Sequence, residues 1–490
     1  MEYYVIKKQE NRMFSLKSLF APVDMTVGTP WKGIVKFTLP MLIGNIAQQL
    51  YNTVDSIVVS HYITDSAEVL AANAGNPEFV KAGDRALAAV GSCLPMLNML
   101  LALFIGISAG ASIMVSQYFG AKNRKSLSYS VGNCITLTAF ACIGLILLMT
   151  PFIRPILVLM NTPASTLEWC VDYLQISLWG MAGMAYYNIL SGVIRGLGDS
   201  VSALLYLLVA TVLNIFLDIY FVKELNMEVA GVALATVIAQ VVSSILCLWK
   251  LSRMTEYFDF QLQYFKPIKS YVVRIIKLGL PTGATQAIYS SAMLIVQSLT
   301  NCFGELFIAA NIVVMRVDGF AMMPNFSFGT ALTTYSGQNV GANRYDRVIQ
   351  GAKQGTLIAA GTSAIITVII LLFGKGLMGI FTETAELVEM SYKLMMILAV
   401  GYIAMAVTQS LSGIMRGAGD TVTPMWISVA TTVFARIPIA YAISYFTRTP
   451  ELPYGIKECI QISLLCTWIL GAVLTTGFYL KGGWKTKAIK

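Results

Sequence analysis

Residues 191–199 read SGVIRGLGD and residues 412–420 read SGIMRGAGD. Six of the nine positions are identical at an offset of 221, a match that chance rarely produces. The same offset brings QYFGAKNR (117–124) onto QNVGANR (338–344), while KFTLP at 36 meets KLGLP at 277 at an offset of 241. The chain therefore repeats one plan twice, and the first copy carries twenty extra residues between those anchors. Their expected place is the loop from Thr64 to Arg85, rich in Asp, Asn, Gly and Ala, because surface loops tolerate insertion best. The two RG-GD loops supply Gly for tight turns between helices. Their Arg and Asp are expected to tie the inner ends of neighbouring helices together.

Working outward from the repeat, the composition says what kind of unit is duplicated. Of 490 residues, 56% are hydrophobic and only 12% charged, and the mean hydropathy is +0.69. Such a chain is an integral membrane protein. A bilayer-crossing helix needs about 20 apolar residues, and twelve such stretches begin near Ile34, Ala86, Leu127, Trp169, Ser200, Val229, Ile275, Leu306, Lys353, Met390, Thr423 and Cys459. Six is even, so both copies enter the membrane with the same polarity. The expected fold is all-α, with twelve transmembrane helices in two parallel six-helix bundles. The divisions are a tail or surface helix over 1–30, a first lobe over 31–250, a linker over 251–270, a second lobe over 271–481 and a tail over 482–490. The first thirty residues contain no apolar run of the kind a cleavable signal peptide carries.

Lys and Arg accumulate on the cytoplasmic side of short loops. Placing both termini inside puts every basic cluster on that side, including Lys122, Arg124 and Lys125, Lys250 to Lys269, and Arg344 with Arg347. The loops left outside collect acids such as Asp65, Glu224, Glu228 and Glu305. Topology thus accounts for the net charge of +9 without a nucleic-acid partner. The expected location is the cell membrane, the expected partners are lipid and small organic compounds, and a monomer is expected. Eight Cys show neither CxxC pairs nor metal-like spacing, so they read as small apolar residues.

A duplication makes each half the control for the other. Asp55 maps onto Val296, and Asn214 and Asp218 map onto Ala435 and Ile439. An Asp inside a membrane helix costs about 2.5 to 3.5 kcal/mol, so the fold alone does not ask for these residues. Asp55 lies shortly before His61 and Asp218 shortly before Lys223, which puts both roughly 7 to 9 Å inside the outer boundary at 1.5 Å per residue. Thr236 at roughly 10 Å and Tyr173 at roughly 6 Å share the layer. Gln48, Asn52 and Asp55 fall on one helical face, as do Thr211, Asn214 and Asp218; both faces are expected to point into the first half, with Gln48 and Asn52 as candidates for lining the substrate cavity. Two carboxylates among amide and hydroxyl oxygens suit a hard cation such as Na⁺. They equally suit a proton, which removes one of two like charges from an apolar site.

These residues resemble those of the MATE (multidrug and toxic compound extrusion) transporters, over Trp31 to Lys481. Pro40 looks like the bending proline of helix one in prokaryotic members with an N-lobe cation site, and LYNTVD ending at Asp55 looks like their LYNxVD segment. Asn214 with Asp218 is similar to the helix-five NxxxD, Thr236 to a helix-six Thr and Tyr173 to a helix-four Tyr. Another branch couples through carboxylates on helices seven and ten, which this chain lacks there. The resemblance implies H⁺- or Na⁺-coupled export of organic, often cationic compounds, with the ion held by Asp55, Asn214, Asp218 and Thr236, and with no other cofactor.

The alternative within transporters is a lipid-linked oligosaccharide flippase of the same architecture, which needs Arg or Lys in its cavity for pyrophosphate. Only Arg316 and Arg436 are expected deep in helices, the latter paired with Asp318. An enzyme is not expected, since the single His, His61, lies at a helix end and no nucleophile and base stand together. Met293, Met315, Met322 and Met323 offer an adaptable surface toward a cavity as the alternative to plain packing, which is the commoner role of Met in membrane helices; Met293 and Met315 are the cavity candidates.

Overall fold

The computed structural model describes residues 22–65, 81–159, 162–382 and 384–489. Twelve spans follow one another along the chain. The first half holds α1 (Pro30–Tyr62), α2 (Ala82–Gly120), α3 (Arg124–Met149) prolonged by α4 (Ile153–Leu159), the broken pair α5 (Ala164–Trp179) and α6 (Met181–Gly196), α7 (Ser200–Ile219) and α8 (Glu228–Arg253). The second half holds α9 (Lys269–Asn301), α10 (Glu305–Gly341), α11 (Tyr345–Gly379), the broken pair α12 (Ala385–Ala399) and α13 (Gly401–Gly417), α14 (Val422–Thr431) continued through a π-turn (Thr432–Arg436) into α15 (Ile437–Phe446), and α16 (Cys459–Lys481). Among the described residues the only β pairing is an isolated bridge, Thr449 with Leu452. That is what a chain must do where lipid offers its backbone no hydrogen bonds.

The twenty extra residues fall where the repeat placed them. A long connection separates Tyr62 from Ala82, whereas three residues separate Asn301 from Glu305. Most of that insertion, 66–80, lies outside the described residues.

Two spans are broken, a feature the apolar runs did not reveal. Gly180 separates α5 from α6, and its repeat mate Gly401 opens α13 at a 45° bend. A side chain on Gly180 would overlap Val237, and one on Gly401 would overlap Trp468. The neighbouring span presses into the break at both places.

The RG-GD loops act as paired caps. Gly198 and Gly419 have φ of +94° and +99°, the left-handed region that glycine enters without strain. The Asp that follows starts the next helix. Asp199 accepts from Ser202 N (2.9 Å) and Ser202 Oγ (2.7 Å), and Asp420 accepts from Thr423 N (3.2 Å) and Thr423 Oγ1 (2.8 Å). Asp199 also reaches Lys250 on α8 at 3.2 Å. The tie between neighbouring helices expected of the motif therefore belongs to the Asp, since Arg195 bonds only back to Ser191 on its own helix.

The halves meet at the end that carries these loops. Gly106 and Gly110 of α2 cross Gly279 and Gly283 of α9, and a Cβ on Gly110 would overlap the Ile275 carbonyl while one on Gly279 would overlap the Gly106 carbonyl. This is the small-xxx-small contact that packs membrane helices backbone to backbone. Ile34 and Phe37 of α1 likewise leave their own half to pack with Phe328, Leu332 and Tyr335 of α10.

Two glutamines fasten the crossing reciprocally. Gln117 Nε2 donates to Gly417 O (2.7 Å), and its repeat mate Gln338 Nε2 donates to Gly196 O (3.2 Å). Both amide oxygens are also taken, Gln338 Oε1 by Met25 N (2.9 Å) and Gln117 Oε1 by Ile489 N (2.8 Å). The stretches read as tails are thus built into the fold over their described parts. Val23 N donates to Gly198 O (3.0 Å), and Trp484 is almost fully buried. The linker between the halves is ordered as well, pinned to α3 by Arg124 with Asp259 (2.6 Å) and by Asn133 Oδ1, which accepts from Ile268 N (2.7 Å).

Each buried hydrogen bond of this kind contributes about 1 kcal/mol. Gln117→Ala with Gln338→Ala should therefore loosen the crossing, and a thiol placed at the buried Ser336 should react roughly tenfold faster. The measurement uses a chain in which the exposed Cys302 and Cys466 are replaced by Ser. Equal rates would show that the glycine contacts alone keep this end shut.

Candidate functional site

In the first half, α1, α7, α8 and α5 converge on Asn214. The residue sits on α7 one turn before Asp218, and both are fully buried. With its amide turned to satisfy its neighbours, Asn214 Nδ2 donates to Asp55 Oδ1 (3.0 Å) on α1 and to Asp218 Oδ2 (3.1 Å). The other amide atom lies 3.4 Å from Thr236 Oγ1 on α8. The two carboxyl groups are within hydrogen-bonding reach of each other, and Tyr173 on α5 lies in the field of both. Asp218 Oδ1 is buried without a hydrogen-bond partner. The structure thus brings together Asp55, Tyr173, Asn214, Asp218 and Thr236 from four spans.

The donor set is all oxygen, and among the described residues no three His, Cys, Asp or Glu side chains gather to hold a metal. One amide group cannot neutralise two carboxylates. A proton or a small hard cation is the kind of charge that can, and Asp218 Oδ1 is an acceptor suited to either.

Other expected residues sit elsewhere. Gln48 is exposed, and the side chain of Asn52 lies outside the described residues. The polar positions of α1 that face the second half are Asn45, whose Nδ2 donates to Ser327 Oγ (2.9 Å), and Gln49, which lies beside Gly319. Their i, i+4 spacing is the signal that marks that face. Pro40 lies within α1, which runs unbroken from Pro30 to Tyr62, and Pro281 occupies the matching place in α9. Its missing N–H leaves the Lys36 carbonyl without a helical donor.

In the second half Met293, Met315 and Met322 line a cavity of about 630 Å³. Met323, expected with them, is buried outside that lining. Arg316 lies well inside α10, as expected, with its side chain on an exposed face and outside the cavity lining. The expected ion pair of Arg436 with Asp318 is not formed either. Asp318 Oδ1 accepts from Tyr402 Oη (2.8 Å), while Arg436 Nε is buried with no partner.

A family model described as MatE matches residues 78–220 and 281–442. The chain is similar to the probable multidrug resistance protein YoeA of Bacillus subtilis, 27% identical over 468 residues, 94% of this chain and 95% of that protein. It is also similar to the probable multidrug resistance protein NorM of Thermotoga maritima, 24% identical over 472 residues and covering 94% of each. Among solved structures, the outward-facing conformation of a multidrug resistance MATE family transporter of the MOP superfamily shares the fold with a TM-score of 0.83. The two are 24% identical, over 94% of this chain and 97% of that one.

If Asn214 bridges the two carboxyls, Asn214→Ala should destabilise the detergent-solubilised protein by about 2 kcal/mol, because it strands buried acceptors. Adding Asp218→Asn should then recover much of the loss in melting temperature. Strictly additive losses would mean that the residues do not act as one unit.

Proposed function

The chain belongs to the MATE family, whose model spans both of its halves, and from that premise we propose that it exports small organic, often cationic compounds by cation-coupled antiport. The observation that carries the coupling is Asn214 holding Asp55 and Asp218 together, in the one half that has carboxylates at these positions. In this reading the coupling ion is H⁺ or Na⁺, and it binds among Asp55, Asn214, Asp218 and Thr236, with Tyr173 at the edge of the set.

Loading and unloading this site changes how α1 sits on α7. With the ion present, the two carboxyls attract a common charge and α1 stays seated. With it gone, like charges face each other across a dry contact and α1 is pushed away. The far end of α1 is packed into the second half through Ile34 and Phe37, so the push reaches the crossing between the halves. Pro40 lies between the two ends and is where the helix yields. An ion shifts such an equilibrium only by binding one state better than the other. The halves 31–250 and 271–481 rock against each other, the glutamine-fastened end faces the cytoplasm with both termini, and a single chain suffices. Basic residues gathered near that end support the orientation. The flippase alternative fares worse, because the second-half cavity offers one guanidinium offset by one carboxylate, where a pyrophosphate calls for several cations.

The test is efflux of an organic cation from proteoliposomes under an imposed Na⁺ gradient and, separately, a pH gradient. Asp55→Asn and Asp218→Asn should abolish gradient-driven export, while Val296→Asn at the mirror position should leave the ion dependence as it was. Variants that reach the membrane and still pump at the unaltered rate would make the carboxyls packing residues.

The same assay addresses α1. Pro40→Ala restores the missing N–H and should slow export several-fold without lowering expression, since a Pro inside a helix weakens it by about 3 kcal/mol. Unchanged transport would take bending of α1 out of the mechanism.

A further inference from the structure

The comparison of halves also runs in the opposite direction. Asn311, Asp318, Tyr402 and Arg436 of the second half map at offset 221 onto Val90, Leu97, Met181 and Ile215. Four polar residues therefore stand where the first half is apolar, and the duplicated fold does not require them. They gather at the 630 Å³ cavity, which Asn311, Asp318 and Arg436 line together with Gln461 and Trp468.

The local structure has been altered to put them there. Pro438 cannot donate to the Phe434 carbonyl, and the chain answers with a π-helical turn over Thr432–Arg436. At the matching positions α7 is plain α-helix. Such single turns recur at functional sites, and this one ends on Arg436. On the opposite wall Tyr402 Oη holds Asp318 by a 2.8 Å hydrogen bond. Each of the two charges lies in the other's field, yet no salt bridge joins them.

The unmet polar atoms point the same way. Arg436 Nε is buried without a partner, and so is Gln461 Oε1, on a side chain only 2% exposed. The amide nitrogen of Gln461 is committed to Asn311 Oδ1 at 2.9 Å. A buried guanidinium, a carboxylate and a free amide oxygen beside an apolar, methionine-lined space describe a receptor for two opposite charges on one apolar body.

We propose that this cavity binds the exported compound, and that its preferred ligands are amphiphilic zwitterions whose ammonium faces Asp318 and whose carboxylate faces Arg436. The charges on such a head are separated by one or a few carbons, the apolar remainder lies along Met293 and Met315, and Gln461 Oε1 accepts from the ammonium. This inference rests on the export reading and divides the labour between the halves, with the ion in the first and the compound in the second.

The probe is Nε-dansyl-lysine, a zwitterion with a fluorescent apolar body, titrated into the purified full-length protein in detergent. Its methyl ester keeps only the ammonium and its Nα-acetyl derivative only the carboxylate. The parent should bind about tenfold or more tightly than either, the consequence of one unmet charge in a desolvated site. Arg436→Gln should bring the parent down to the level of the ester without moving the ester. Asp318→Asn should bring it down to the level of the acetyl derivative without moving that one. An ester or acetyl derivative that binds the unaltered protein as well as the parent overturns the proposal, as do variants that weaken all three probes alike. Should a variant fail to fold, the three-probe comparison on the unaltered protein decides alone. Asp55→Asn should leave the order of the three probes intact. A lost order with efflux preserved sinks this inference only, and a preserved order without efflux sinks the export reading only.

Discussion

Inside an apolar layer a buried side-chain N–H or C=O has no water to turn to, so it must find its partner on another helix or remain an expensive exception. That constraint organises this molecule. Where the chain closes, two glutamines obey it in full: Gln117 and Gln338 each spend their donor on the opposite half and their acceptor on a terminal stretch. The glycine contacts between α2 and α9 bring the backbones near enough for these short links to reach.

Among the atoms left unmatched, three belong to the two polar sites. Asp218 Oδ1 is unmatched in the first half, and Arg436 Nε and Gln461 Oε1 are unmatched in the second. Asp218 and Arg436 break the repeat, whereas Gln461 keeps it, since its mate Gln240 also leaves Oε1 unmatched; the two sites differ in charge. The first presents two carboxyls and no cation of its own; the second presents one charge of each sign. Duplication supplies a scaffold that is stable in either form, which frees each half to carry a set of polar groups that the other does without.

One helix connects the two kinds of region. The Asp55 end of α1 is held through Asn214 to α7, and its other end belongs to the packing of the second half. The repeat mate α9 does the converse, with Ile275 and Leu278 in the core of the first half. The opening helices are therefore exchanged at the closed end, and a charge change at Asp55 has a covalent route to the interface between halves.

Much of this was legible in the sequence, because hydrophobic runs and a repeat are one-dimensional properties. They determine twelve spans, their like polarity, the place of the insertion and the layer shared by Asp55, Tyr173, Asn214, Asp218 and Thr236, since depth follows from counting residues at a fixed rise. What only the tertiary structure decided is which way side chains turn and what they meet. Gln48 and Asn45 are a few residues apart on α1, yet Asn45 rather than Gln48 finds a partner across the halves. Charge alone pairs Asp318 with Arg436, yet Asp318 accepts from the hydroxyl of Tyr402, whose repeat mate is a methionine. The breaks at Gly180 and Gly401 were invisible for the same reason. A glycine in an apolar run bends a helix only where a neighbour, Val237 or Trp468, presses into the space it leaves, and which neighbour that is depends on how spans distant in the chain pack together.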